Sequence, residues 1–230
     1  MSRLPIEAVV LDMDGLLMDT EPVWRVAEVA VFTALGVELT EEELMGSMGQ
    51  TIAAVVPVWR LREPAHGVGA RRLTDVEVQE RIIEMVAAEV AATGVPMPGV
   101  TDAIALLRRL GLPVAIASGS PPRMIEVVTE RLDLGWIEVR CSAMDEPRSK
   151  PAPDVYLTAA RRLGVRPERC VAIEDSPSGV LSAKAAGMLC IAVPDPLMEG
   201  DPAYAEADLV LGALTELDEG ALRSVGTGNG

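Results

Sequence analysis

The chain has 230 residues, of which 49% are hydrophobic and only 3% aromatic, and this composition permits a sizeable buried core. Twenty basic residues against 35 acidic ones give a formal net charge of −15, which argues against nucleic acid or an anionic membrane as a partner. No apolar run approaches the roughly 18 residues of a membrane span, and the first residues lack the pattern of a secretory signal.

Five short apolar runs predict the buried strands of a parallel sheet, at residues 8–11, 114–117, 171–173, 189–193 and 209–211. Helical periodicity lies between these runs, at residues 101–110, 122–132, 153–163 and 178–186. Strand and helix therefore alternate along the chain. This alternation predicts an α/β fold, with helices flanking a Rossmann-like parallel sheet.

Residues 21–93 interrupt the alternation. They carry helical periodicity at 24–35, 51–61 and 76–92 without a convincing strand between these segments. We interpret this stretch as an inserted, small α-helical domain. The Gly- and Pro-rich residues 94–99 mark the return of the chain. The predicted domains are therefore an α/β core of residues 1–20 and 94–230, and a helical insert of residues 21–93.

The three cysteines, Cys141, Cys170 and Cys190, are widely spaced and form no CxxC pattern. An odd number of such cysteines favours a reducing compartment over a disulfide framework or a zinc site. We therefore expect a cytoplasmic protein. Separately, we expect a monomer or a weak homodimer.

Reactive groups of open parallel sheets gather beyond the carboxyl ends of the strands. Polar residues of catalytic type occur at four such places, in the segments DMDG (12–15), SGS (118–120), SKP (149–151) and EDS (174–176). Each segment alone is a weak signal, because turns, helix caps and solvated lysines use the same residues. Their order along one predicted sheet favours a shared site for phosphoryl transfer.

Phosphoryl transfer requires a nucleophile, a proton donor for the leaving oxygen, and positive charge around the phosphate. Asp12 is the predicted nucleophile, which would form an aspartyl phosphate that water then hydrolyses. Asp14 is the predicted acid and base. Lys150 and Ser118 are predicted to bind the phosphate and to complete the catalytic group.

An acidic cluster of this kind repels phosphate unless a cation offsets its charge, and Mg²⁺ is the predicted cofactor. The expected ligands are the side chains of Asp12 and Asp175 and the main-chain carbonyl of Asp14. Glu174 would orient the site from close by or bind the ion directly. The only histidine, His66, lies in a Pro- and Gly-containing loop, so a histidine metal site is not expected.

The segments DMDGLLMDTEP, IASGSP, SKPAPDVYL and AIEDSPSGVLSAKAAGM together resemble the four ordered motifs of the haloacid dehalogenase (HAD) superfamily. The resemblance covers nearly the whole chain, and the helical insert resembles the cap of the β-phosphoglucomutase-like subfamily. It implies the same roles: Asp12 as nucleophile, Asp14 as acid and base, Ser118 and Lys150 as phosphate binders, and Asp175 with Glu174 at the metal.

Within this subfamily, the segments DMDGLLMDTEPVW and VWRLREP and the tail DPLMEGDPAYAEADLVLGALTEL resemble bacterial hexitol and 2-deoxyglucose-6-phosphate phosphatases. The resemblance implies hydrolysis of a small phosphorylated metabolite, with a sugar or sugar-alcohol phosphate as the expected substrate.

Two alternatives to this phosphatase remain open at the level of sequence. The first is a β-phosphoglucomutase-like phosphosugar mutase, although Trp24 stands where such mutases have a histidine. The second is a non-catalytic phosphosugar-binding protein, whose expected signature is the loss of Asp12, Asp14 or Lys150. None of these three residues is lost.

Further substrate contacts are predicted in both domains: Met13, Gly15 and Gly119 in the core, and Arg62 in the cap. Three other cap residues, Trp24, Trp59 and Arg60, are candidates for the same role. An aromatic residue at helical spacing is more often part of a core, and an arginine on an amphipathic helix is more often solvated. Whether the cap residues contact the substrate therefore stays open.

Overall fold

The computed structural model describes residues 4–47, 50–64 and 72–225. Its strands are β1 (Ala8–Leu11), β2 (Val114–Ser118), β3 (Val139–Ser142), β4 (Cys170–Glu174), β5 (Leu189–Ala192) and β6 (Leu209–Val210). They form one parallel sheet in the order β3-β2-β1-β4-β5-β6. Since β1 lies between β2 and β4, the carboxyl ends of these three strands are neighbours, and the predicted α/β sheet is confirmed.

Nine α-helices accompany the sheet in the described part of the chain: α1 (Glu21–Ala34), α2 (Glu41–Gly46), α3 (Ile52–Arg60), α4 (Asp75–Thr93), α5 (Val100–Leu110), α6 (Pro122–Arg131), α7 (Asp154–Leu163), α8 (Pro177–Ala185) and α9 (Glu219–Ser224). Helices α1 to α4 follow β1, and their described residues include no strand. None of the described helices combines the length and apolar character needed to span a membrane.

The two faces of the sheet carry side chains of different size, because successive residues of a strand point to opposite faces. Small residues such as Ala8, Ala115 and Ala172 pack on the side that α7 and α8 cover. Larger residues such as Val9 and Ile116 belong to the other core cluster, which includes residues of α5, α6 and the α1 to α4 region. The three cysteines are free and buried on the small-residue side, where they act as small apolar packing groups.

The chain enters and leaves the α1 to α4 region along adjacent paths. The N–H of Asp19 donates to the carbonyl of Val95 at 3.0 Å, and the N–H of Met97 donates to the carbonyl of Leu17 at 3.1 Å. Met18 also pairs with Pro96 in an antiparallel bridge. The four helices are therefore attached to the sheet through two short segments that lie side by side.

Candidate active site

Asp12 is placed by the end of β1. Its N–H donates to the carbonyl of Ile173 at 3.0 Å, so the pairing of β1 with β4 continues to this residue. Its side chain is buried, with 5% of the residue exposed. A tight turn follows, in which Gly15 adopts a φ of +72° and donates its N–H to the carbonyl of Met18 at 2.9 Å. The turn holds Asp14 beside the end of the strand.

Lys150 joins the ends of three strands through its ammonium group. Nζ donates to Asp12 Oδ1 at 2.5 Å, to Glu174 Oε1 at 2.6 Å, and to the carbonyl of Ala117 at 3.1 Å. The Tyr156 hydroxyl donates to the same oxygen of Glu174. Burial acts to lower the pKa of Lys150, but the charges of Asp12 and Glu174 outweigh it and raise this pKa above its usual value. The lysine is therefore a fixed positive charge at the sheet edge.

Three carboxylates, Asp12, Glu174 and Asp175, meet beside this lysine, with one oxygen of each within 4.8 Å of the others. Burial, followed by the charge of Glu174, raises the pKa of Asp12 to about 8. Burial and the charges of Asp12 and Glu174 raise the pKa of Asp175 well above its usual value. Asp175 Oδ1 is buried without a hydrogen-bond partner. Buried, converging carboxylate oxygens fit a hard divalent cation such as Mg²⁺.

Asp14 is held by two hydroxyl groups. Thr20 Oγ1 donates to Asp14 Oδ1 at 2.7 Å, and Ser118 Oγ donates to Asp14 Oδ2 at 2.9 Å. The N–H of Ser120 donates to Ser118 Oγ at 2.9 Å, which fixes the serine hydroxyl in turn. In this arrangement the hydroxyl hydrogen of Ser118 is directed to Asp14, so Ser118 orients this carboxylate.

A cavity lies between the carboxyl edge of the sheet and helices of the α1 to α4 region. The predicted residues that line it are Asp12, Asp14, Trp24, Gly119, Lys150 and Asp175. Ser118 and Glu174 are fully buried and contact these residues from behind. The side chain of Met13 is part of the buried core, and Gly15 lies against Asp175. His66 lies outside the described residues.

The other cap candidates do not line this cavity. Arg60 is 5% exposed and is bound by Glu63, by Asp75 and by the carbonyl of Leu73. Arg62 forms an ion pair with Glu43 at 2.9 Å. Trp59 packs its ring edge-to-face on Phe32, with a centroid distance of 5.3 Å. In this structure, these three side chains support the packing of the helices.

Several cavity residues were not predicted from the sequence, namely Glu21, Arg25, Glu28 and Asp195. A signal for the first three is present, because residues 21, 24, 25 and 28 have the spacing of one helix face. Thr20, which binds Asp14, was also missed as a site residue. Its position directly before α1 gave no indication of a contact with Asp14.

Gly15 offers a test of how tightly the site is packed. A Cβ at this position would lie 2.1 Å from Asp175 Oδ2, in a turn with a φ of +72°. We expect Gly15→Ala to lower the free energy of unfolding by about 1 kcal/mol through the backbone alone, and more through the clash. We also expect at least a tenfold loss of the phosphatase activity that the sequence predicts, because Asp175 must move. Urea denaturation and phosphate release measure the two effects.

Gly111→Ala is the matched control, since Gly111 has a φ of +64° and nothing within 4 Å of its added Cβ. This variant should show the backbone cost alone and keep its activity. Equal activities of the two variants would contradict the tight packing of Gly15 against Asp175.

Comparison with known proteins identifies the family. The model of the haloacid dehalogenase-like hydrolase family matches residues 6–187. Hexitol phosphatase B of Escherichia coli K12 is 43% identical over 214 residues, which cover 92% of this chain and 94% of that protein. A probable pseudouridine-5'-phosphatase of Drosophila melanogaster is 31% identical over 219 residues, 90% of this chain and 89% of that protein. The crystal structure of CbbY from Rhodobacter sphaeroides with phosphate has a TM-score of 0.84 at 30% identity, covering 95% and 99% of the two chains.

The parallel sheet carries carboxylates and a lysine at one edge. Its phosphatase relatives align with this chain over most of their length. The chain is therefore a member of the enzyme class of phosphatases. The chain belongs to the haloacid dehalogenase-like hydrolase family. The predictions of the family and of the enzyme class are confirmed.

Proposed function

We propose that this phosphatase hydrolyses small phosphomonoesters of sugars or sugar alcohols, with Mg²⁺ as cofactor and a phosphorylated Asp12 as intermediate. One observation carries the proposal: Lys150 contacts both Asp12 and Glu174 next to Asp175, at the base of a cavity. The relative named hexitol phosphatase B supports the substrate class. Small, neutral leaving groups also suit a chain whose net charge is −15.

Asp12 is the proposed nucleophile. Its Oδ1 is bound by Lys150, while no hydrogen bond from a described residue occupies Oδ2. Oδ2 would attack phosphorus, and the P–O bond to the sugar would break. Lys150 would lower the pKa of Asp12 against the effect of burial, and would contact a phosphate oxygen. The N–H of Gly119, which lines the cavity, is a further proposed phosphate contact. Contacts from Met13, Gly15 and Arg62 stay predictions.

Asp14 is the proposed acid and base. Its two oxygens are oriented by Thr20 and Ser118, so the carboxyl group has one defined position at the cavity wall. From there it would give a proton to the departing sugar oxygen and then take one from the water that hydrolyses the intermediate. The same residue thus serves both half-reactions.

The proposed Mg²⁺ ligands are the side chains of Asp12 and Asp175 and the main-chain carbonyl of Asp14. Glu174 Oε1 already accepts hydrogen bonds from Lys150 and Tyr156, so we assign Glu174 chiefly to the orientation of Lys150. When bound, Mg²⁺ would offset the carboxylate charges and stabilise negative charge on the phosphate.

We also propose that residues 21–93 act as a cap domain over a core of residues 1–20 and 94–230. The two attachment segments lie side by side at Asp19 and Val95, and small rotations there would open the cavity. Closure would exclude water and bring α1 against the leaving group.

Removal of the metal tests the proposal directly. We expect dialysis against EDTA to reduce phosphate release from p-nitrophenyl phosphate and from a hexitol phosphate at least 100-fold, and added Mg²⁺ to restore it. A sample treated with EDTA already saturated with Mg²⁺ is the control. Activity that survives the dialysis would contradict the cofactor. Transfer of the phosphoryl group to another sugar hydroxyl, without free phosphate, would indicate a mutase instead.

A further inference from the structure

One face of α1 lines part of the cavity that Asp12, Asp14 and Lys150 also line. Glu21, Trp24, Arg25 and Glu28 all line the cavity, with the spacing of a single helix face. The helix begins directly after the loop that carries Asp12 and Asp14, so its position relative to the site is set by a short connection. When the phosphate group of a substrate lies at Asp12, its leaving group would therefore meet this face.

Glu28 is the unusual member of this face. It is 8% exposed, and it makes no hydrogen bond and no ion pair with any residue that the structure describes. Its carboxylate oxygens are not among the fully buried atoms that lack a partner, so they reach the cavity, where donors on a bound ligand would compensate for the hydration lost on partial burial. Burial and the charge of Glu21, partly offset by Arg25, raise the pKa of Glu28 to about 7. The chain thus keeps, at the wall of its cavity, a largely buried acceptor that receives no hydrogen bond from a described residue.

The charges of this face also limit what it can bind. Arg25 has Glu21 four residues before it and Glu28 three residues after it, so two carboxylates flank one guanidinium. A second anionic group on the substrate would meet net negative charge at this end. Neutral hydroxyl groups would meet carboxylate oxygens that accept no hydrogen bond from the described residues.

We propose that Glu28 is a specificity-determining residue, which accepts hydrogen bonds from the hydroxyl groups of a neutral polyol leaving group and disfavours substrates that carry a second anionic group. The inference rests on the proposed function, since the cavity must first hold a phosphomonoester. It assigns the end of the cavity away from Lys150 to the hydroxyl-bearing part of the substrate.

Three substrates test the inference on the full-length protein with Mg²⁺ at pH 8: a hexitol monophosphate, p-nitrophenyl phosphate, which has no hydroxyl groups, and a hexose bisphosphate. We expect Glu28→Ala to lower kcat/KM for the hexitol phosphate relative to p-nitrophenyl phosphate at least about tenfold, as the loss of a charged hydrogen bond does. We expect Glu28→Gln to raise kcat/KM for the bisphosphate relative to the monophosphate at least about threefold.

Thermal unfolding distinguishes a specificity role of Glu28 from a structural one, because loss of a structural residue would lower Tm. Because both substitutions remove a buried carboxylate without a hydrogen-bond partner, neither should lower Tm. Glu84→Gln is the matched control, since Glu84 is exposed on α4 and does not line the cavity. This control should leave all three kcat/KM values and their ratios unchanged.

The outcomes separate the inference from the proposed function. A wild-type protein that releases phosphate from none of the three substrates would overturn both. A wild-type protein that is active, but whose substrate ratios do not change in Glu28→Ala, would overturn the inference alone. An equal loss of activity for all three substrates, accompanied by a lower Tm, would also overturn the inference alone. A wild-type preference for the bisphosphate would do the same.

Discussion

Asp12→Asn is expected to reduce phosphate release at least about 1,000-fold, because an amide oxygen cannot form the phosphorylated intermediate. The chain should remain folded, with Tm within a few degrees of the wild-type value. The amide has nearly the shape of the carboxylate and relieves repulsion from Glu174 and Asp175, while Lys150 keeps its ion pair with Glu174. Steady-state turnover of p-nitrophenyl phosphate and thermal unfolding measure the two quantities.

Asp102→Asn is the control for this substitution, since Asp102 is exposed in the first turn of α5 and does not line the cavity. Acid quenching of wild-type protein during turnover of a radiolabelled substrate should leave label on the peptide that contains Asp12. The asparagine variant should carry none. Substantial hydrolysis by Asp12→Asn, or label on another peptide, would contradict the assignment of the nucleophile.

The sheet was largely predictable because most of its strands are buried on both faces. Such strands appear in the sequence as short apolar runs, and β1 and β2 coincide with two of them within one residue. The strand β3 was missed because it is not buried on both faces: it begins with the half-buried residues Val139 and Arg140 and therefore shows no apolar run. At the sheet edge, one polar residue is enough to hide the apolar pattern.

Helix α2 (Glu41–Gly46) was also missed. It spans only six residues and buries only Leu44, so it has too few turns for a detectable periodicity. A local signal was nevertheless present. Thr40 and Glu43 form a capping box, in which each side chain binds the main-chain N–H of the other residue.

The catalytic end of the site was accessible from sequence, because Asp12 and Asp175 follow their strands directly and β1 pairs with β4. Parallel pairing alone then brings the two carboxylates to one edge. The end formed by helices α1 to α4 was not accessible, because the rotation of a helix over the sheet depends on tertiary packing. Arg60 illustrates this, since its partner Asp75 lies 15 residues further along the chain.

Lys150→Met is expected to lower the free energy of unfolding by about 3 kcal/mol, measured by urea denaturation in EDTA, and to reduce kcat/KM at least about 100-fold. Lys150 is the ion-pair partner of two buried carboxylates, Asp12 and Glu174, and their side chains are at most 7% exposed. Methionine fills a similar volume but leaves these charges without compensation. Removal of one member of a buried ion pair costs more than the pair contributes, because the remaining charge stays desolvated.

Lys184→Met is the matched control. Lys184 forms an equally short ion pair, at 2.6 Å with Asp208, but both side chains are more than 20% exposed, so its loss should cost about 1 kcal/mol or less.

Mg²⁺ should then separate the effect of charge compensation on stability from the effect of packing. An ion that binds only the folded chain stabilises it by mass action. The stabilisation should be larger for Lys150→Met than for the wild-type chain, because in the variant the ion also replaces a missing positive charge. We therefore expect Mg²⁺ to recover part of the stability of Lys150→Met and none of its activity. Equal losses in the two variants in EDTA would show that Lys150 is not the counterion of the site.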